Sequence, residues 1–132
     1  SYTLTRRGTT PSRTIVYLHG GGFVAPIDPW QVRYAARLAA GLDARVVMPD
    51  YPLTPEHTWR DTHGPIVELV ERLLHEGEDV TIAGDSAGGG LALAVALAVR
   101  DRGGPQPRHL LLVAPWAARG RPRRTPVRHP RP

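Results

Sequence analysis

The chain has 132 residues, with 17 basic and 12 acidic side chains, a formal net charge of +5 and no cysteine. That length allows one domain at most, though one large enough to bury a real core. Without cysteine there is no disulfide framework and no thiolate metal site, which favours a reducing compartment such as the cytoplasm.

The opening stretch, SYTLTRRG, has no initiator methionine and no apolar signal core, and reads as an interior starting point, so a fragment is expected. TIVYL, Thr14 to Leu18, is β-branched and apolar and reads as a buried strand. Asp28-Pro29 then opens a helix, with an acid at the cap and proline at the first position. Val32, Ala35, Ala36 and Ala39 follow helical spacing, and Gly41 is read as its end. RVVM, Arg45 to Met48, is a second strand. Ile66, Val67, Val70, Leu73 and Leu74 mark a second helix, stopped by Gly77. VTIAG, Val80 to Gly84, is a third strand, Leu91 to Arg100 a third helix, and HLLLVA, His109 to Ala114, a fourth strand. The longest unbroken apolar run, Leu91 to Val99, has nine residues. A membrane span needs roughly 20, so none is expected.

Strand and helix thus alternate, with nearly continuous apolar strands. That pattern predicts an α/β fold: a parallel sheet of about four strands, layered between three helices. In such sheets ligands meet the carboxyl ends of the strands. Two glycine clusters, 20–22 and 84–90, fall at such ends.

The second cluster, GDSAGGG, surrounds Ser86. From Gly84 to Gly88 the chain must turn from strand to helix within about one residue, which places the serine in a strained conformation. Gly84 and Gly88 are needed because Cβ atoms on either side of the turn would collide. The turn lifts the Ser86 hydroxyl above the sheet and sets the Ala87 N–H at a helix N-terminus, where partial positive charge favours an oxyanion. A phosphate-binding loop would want a lysine after its last glycine, and the chain has no lysine. In HGGGF, His19 to Phe23, three consecutive glycines make sense where main-chain N–H groups approach a ligand closely. Gly21 and Gly22 are the candidate donors there.

With DYPLTPEH (Asp50 to His57) between them, the two motifs resemble the hormone-sensitive-lipase-like branch of the α/β-hydrolases, which reads HGGGF, DYRLAPEH and GDSAGGNLA. LLLVAPW, Leu110 to Trp116, resembles the family's next strand, so the likeness covers roughly residues 14 to 116. It implies hydrolysis of small carboxylic esters through an acyl-serine, with no metal or cofactor. Ser86 would be the nucleophile, and Gly21, Gly22 and Ala87 the oxyanion donors. His19, Gly20, Gly84, Asp85 and Gly88 would support the two motifs. Pro52, Thr54 and Gly90 depart from the family's usual residues.

The serine also needs a base, and the base an acid; in this family both follow the serine in the chain. After Ser86 the sole acid is Asp101, and the histidines are His109 and His129. Earlier, His57, His63 and His75 read as motif or helix-flanking residues. The chain is therefore expected to carry the nucleophile and the oxyanion loop without evident partners, and to be inactive as it stands. The competing reading is a non-catalytic pseudo-hydrolase with a basic arm.

All 17 basic residues are arginine, and six of them lie in the acid-free last 16 residues. Residues 1–116 hold 11 arginines against 12 acids, a net of −1. Residues 1–116 are thus expected to form the partial hydrolase domain. The stretch AARGRPRRTPVRHPRP, residues 117–132, is expected to be a disordered tail of the composition that out-of-frame translation of a GC-rich gene would give. It has no aromatic residue for stacking on bases, so no nucleic acid is expected as a partner.

Overall fold

Isoleucine, valine and leucine between Arg13 and Leu18 make the strand around which the other elements are arranged. A computed structural model describes residues 2–20, 27–50 and 59–114. They form β1 (Tyr2–Leu4), β2 (Arg13–Leu18), α1 (Pro29–Leu42), β3 (Ala44–Met48), α2 (Trp59–His75), β4 (Asp79–Asp85), α3 (Ala87–Arg102) and β5 (His109–Val113). The sheet order is β1-β3-β2-β4-β5. The four longer strands are parallel, and Leu18 pairs with Gly84, so β2 and β4 end level.

Alternation along the strands divides the core in two. Val16, Leu18, Val80 and Ile82 pack with α2 and α3 through Ile66, Val67, Val70, Leu91, Val95 and Val99. Ile15, Tyr17 and Ala83 face the opposite side and pack with Ala35 and Ala39 of α1. Helices on both faces are what right-handed parallel crossovers impose. At the amino ends of the strands, Arg45 pairs with Glu78 at 2.6 Å, and the buried Thr14 hydroxyl donates to the same carboxylate. No helix among the described residues is long and apolar enough to cross a membrane.

The structure corrects the sequence reading in five places. Among the described residues the sheet has five strands, because Tyr2–Leu4 pairs antiparallel with β3; three residues are too few for alternation to show. The strands are not all covered on both faces: among the described residues β5 is an edge, and Leu110, Leu111 and Val113 are exposed. Helix α1 runs through Gly41 and ends at Asp43, which takes the left-handed conformation at φ 47° that a short polar side chain tolerates. Helix α2 begins at Trp59, ahead of Pro65, because the buried Thr62 and the bond from His63 Nε2 to the Ala94 carbonyl hold its first turns on α3. Helix α3 starts at Ala87, four residues before the first leucine, and takes in three glycines. The expected tail, 117–132, lies outside the described residues.

Candidate active site

Ser86 stands between β4 and α3 with φ 52° and ψ −119°, a backbone region that L-residues seldom adopt. Its side chain makes no capping hydrogen bond to the helix that follows. The backbone holds it in place instead. Ser86 N–H donates to the Val113 carbonyl at 2.9 Å, and the Ser86 carbonyl accepts from Gly90 N–H at 3.2 Å. The strained serine at a strand-to-helix turn, read from the glycine spacing, is therefore present.

The glycines around it have specific reasons. A Cβ on Gly84 would stand 2.3 Å from the Gly88 carbonyl oxygen, and one on Gly88 would stand 2.0 Å from the Leu18 carbonyl oxygen. Strand β4, helix α3 and strand β2 approach one another backbone to backbone at this point. Ala87, fully buried, is the first residue of α3. Its N–H is among those a helix leaves unsatisfied at its positive end.

Across from the turn, His19 and Gly20 continue β2. His19 is 1 % exposed, and its Nδ1 lies 2.9 Å from the Gly20 carbonyl oxygen. A carbonyl can only accept, so Nδ1 carries the proton. Burial lowers the His19 pKa below its ordinary 6.5, although the Gly20 bond and the Asp50, Asp85 and Asp28 charges oppose this, and the ring is neutral. Gly20 N–H donates to Asp85 Oδ1 at 3.0 Å. The Tyr17 hydroxyl donates to the same oxygen at 2.5 Å. Burial first, and the Asp85 carboxylate second, push the Tyr17 phenol far up, so it stays a donor. Asp85, directly before Ser86, thus ties the serine turn to the start of the glycine loop. A Cβ on Gly20 would meet Asp85 Oδ2 at 2.4 Å, so a side chain there would have to push the Asp85 carboxylate out of these bonds. Gly21 and Gly22 themselves, with His57 and His129, lie outside the described residues.

The remaining described candidates for base and acid lie elsewhere. His63 donates to Ala94, eight residues along α3 from the serine, or about 12 Å of helix. His75 sits at the end of α2, 2.7 Å from the Glu71 carbonyl. His109 begins β5, opposite Thr81, whereas Val113 at the other end of β5 is level with Asp85. Asp101 is exposed in the last turn of α3 and pairs with Arg100 at 3.0 Å. None of these adjoins Ser86. Among the described residues no group of three or more His, Asp or Glu side chains could hold a metal ion.

Two contributors were missed in the sequence reading. Tyr17 passed as an ordinary strand residue, and Gln31 went unremarked. The Asp28-x-x-Gln31 spacing, a capping-box pattern, was the available signal for the second. A cavity of about 280 Å³ lined by Tyr17, Trp30, Gln31, Tyr34, Asp85 and Val113 adjoins the turn on the α1 side; Ser86 is not among its lining residues.

A mostly parallel sheet in which an inner strand, β4, runs through a serine of positive φ into a helix, with the HGGGF motif beginning at the end of the neighbouring β2, is the architecture of an α/β-hydrolase. The family model for the alpha/beta hydrolase fold matches residues 15–131, and the chain belongs to that family. It is 41% identical over 109 residues to a Mycobacterium tuberculosis protein described as an acetyl-hydrolase, covering 80% of this chain and 35% of that one. A Streptomyces hygroscopicus acetyl-hydrolase is 35% identical over 108 residues, covering 80% and 36%. The crystal structure of an esterase from the bacterial hormone-sensitive lipase family superposes with TM-score 0.74 at 33% identity, over 85% of this chain and 39% of that one. This is the branch to which the three motifs point. The chain spans little more than a third of the length of these relatives.

Proposed function

We propose that the chain carries the nucleophile and oxyanion side of a serine esterase acting on small carboxylic esters. The observation that carries the reading is the Ser86 backbone, held at φ 52° at the positive end of α3. In this scheme Ser86 Oγ attacks the ester carbonyl carbon and its proton passes to a base. The carbonyl oxygen becomes an oxyanion received by the N–H groups of Ala87, Gly21 and Gly22. The C–O bond to the alcohol then breaks, and the alcohol leaves with the proton. Water next attacks the acyl-serine, releasing the acid and restoring Ser86. His19, Gly20, Gly84, Asp85 and Gly88 shape the site without touching substrate.

No described histidine takes the base's position. By itself the 132-residue chain is therefore expected to hydrolyse p-nitrophenyl butyrate slowly, at the level oxyanion donors alone support, and Ser86→Ala should change that rate little. Binding without turnover is the second reading, and the placement of the described histidines and of Asp101 favours it.

A chimera separates the two. Residues 14–114 of this chain would replace the matching segment of the Mycobacterium tuberculosis relative, which contributes the rest of an esterase. Ester hydrolysis by the folded chimera, lost by roughly 10⁴-fold or more in Ser86→Ala, is the expected result. A folded but inert chimera would exclude the esterase reading.

A further inference from the structure

Gln31 occupies the third position of α1, and both ends of its side-chain amide are engaged. Its Oε1 accepts from the Asp28 N–H at 3.0 Å, completing a capping box with the Asp28 carboxylate, which accepts from Gln31 N–H at 2.9 Å. Its Nε2 donates to the Gly20 carbonyl oxygen at 3.2 Å. A backbone N–H only donates and a carbonyl only accepts, so the two partners fix the orientation of the amide.

Gly20 is consequently held on every polar atom. Its N–H goes to Asp85, and its carbonyl receives Gln31 from one side and His19 from the other. The Gly20 carbonyl shares one planar peptide unit with the N–H of the next residue. Fixing the carbonyl therefore fixes the plane in which that N–H lies. The Gln31 bond crosses from α1 to the loop, whereas the His19 bond comes from the loop's own strand.

We propose that Gln31 is a positioning residue: it clamps the Gly20 carbonyl from the first turn of α1 and thereby orients the peptide unit that begins the glycine loop. This rests on the reading of that loop as the oxyanion donor. The helix cap and the loop clamp use different atoms of one side chain, so a substitution can separate them. Gln31→Glu keeps an acceptor for Asp28 N–H, and glutamate suits the third position of a helix. It offers no donor to Gly20 and sets a carboxylate oxygen against the carbonyl.

The test compares the 132-residue chain with Gln31→Glu and Gln31→Ala, reading Gly20 amide hydrogen exchange by nuclear magnetic resonance, melting temperature, and slow p-nitrophenyl butyrate hydrolysis. Gln31→Glu should leave the melting temperature unchanged, speed Gly20 exchange about tenfold, because a Gly20 no longer held at its carbonyl opens its N–H bond to Asp85 more often, and lower the slow hydrolysis. Gln31→Ala should do the same and also melt earlier, having lost the cap. A Gly20 amide as protected in Gln31→Glu as in the parent overturns the proposal. A loosened Gly20 with undiminished hydrolysis overturns it as well, because the clamp then does not serve the site. If the parent shows no hydrolysis above buffer, as a chain without its base allows, Gly20 exchange alone decides the clamp, and the chimera decides the esterase reading.

Discussion

Gly84 lies against the Gly88 carbonyl across the Ser86 turn, so closely that Gly84 has no room for a methyl group. A Cβ at Gly84 would be 2.3 Å from the Gly88 carbonyl oxygen, and one at Gly88 would be 2.0 Å from that of Leu18. Both obstacles are main chain, one in the first turn of α3 and one at the end of β2, which cannot give way as the end of a side chain can. Gly88→Ala should therefore cost about 3 kcal/mol or more, measured by urea denaturation. Gly41→Ala is the control. It lies inside α1 with nothing within 4 Å of the added methyl, and alanine there should add about 0.5–1 kcal/mol. Equal behaviour of the two variants would remove the packing explanation for the glycines.

The same contrast explains what could be read from the sequence. Gly84, Ser86 and Gly88 were legible because a strand, a sharp turn and a helix leave a local spacing, although the carbonyl that excludes a side chain at Gly88 belongs to Leu18, on another strand. Gly41 was misread as a helix end for the opposite reason: its conformation is ordinary, and the left-handed position fell to Asp43. Contacts between Tyr17 and Asp85, or Gln31 and Gly20, join residues 68 and 11 positions apart. Strand pairing and helix docking create them, and no local pattern marks them. The exposure of β5 depends in the same way on which strands lie beside it, which composition does not encode.

Tyr17 and Gly20 share one oxygen of Asp85. Tyr17→Phe removes one donor from a half-buried carboxylate while keeping the ring packed against Tyr34, 5.6 Å away between centroids. The expected loss is about 1–3 kcal/mol, that of a hydrogen bond to a charged group. A double-mutant cycle with Asp85→Asn should give a coupling of about 1 kcal/mol. Additive losses would mean that the two side chains do not act together.

His19 predicts a pH dependence whose sign follows from burial. Its pKa in the folded chain lies below the ordinary 6.5 that it regains on unfolding. Below that value the unfolded chain binds a proton that the buried ring refuses, so stability falls as the pH drops; above it the residue contributes no slope. Urea midpoints measured from about pH 7.5 down to about pH 5.5 should decline in the parent. In His19→Gln the decline should be shallower, on top of a constant loss from the changed packing. An identical slope in the variant would place the proton uptake on other groups.

Ser86 itself should be a site where stability and chemistry oppose each other. A non-glycine residue at φ 52° and ψ −119° stores roughly 1–3 kcal/mol of backbone strain. Glycine adopts that region freely, at the cost of about 0.5–1 kcal/mol of extra unfolded-state entropy. Ser86→Gly should therefore stabilise the chain by about 0.5–2 kcal/mol, while Ser86→Ala, which keeps the Cβ and its strain, should change stability little. The Ser86 side chain makes no capping bond to α3, so losing its hydroxyl removes no support from the helix. Urea denaturation of the three proteins at neutral pH reads the order directly. If glycine were no more stable than serine, the turn would not be strained. The serine would then owe its place to something other than the projection of its hydroxyl from the end of β4.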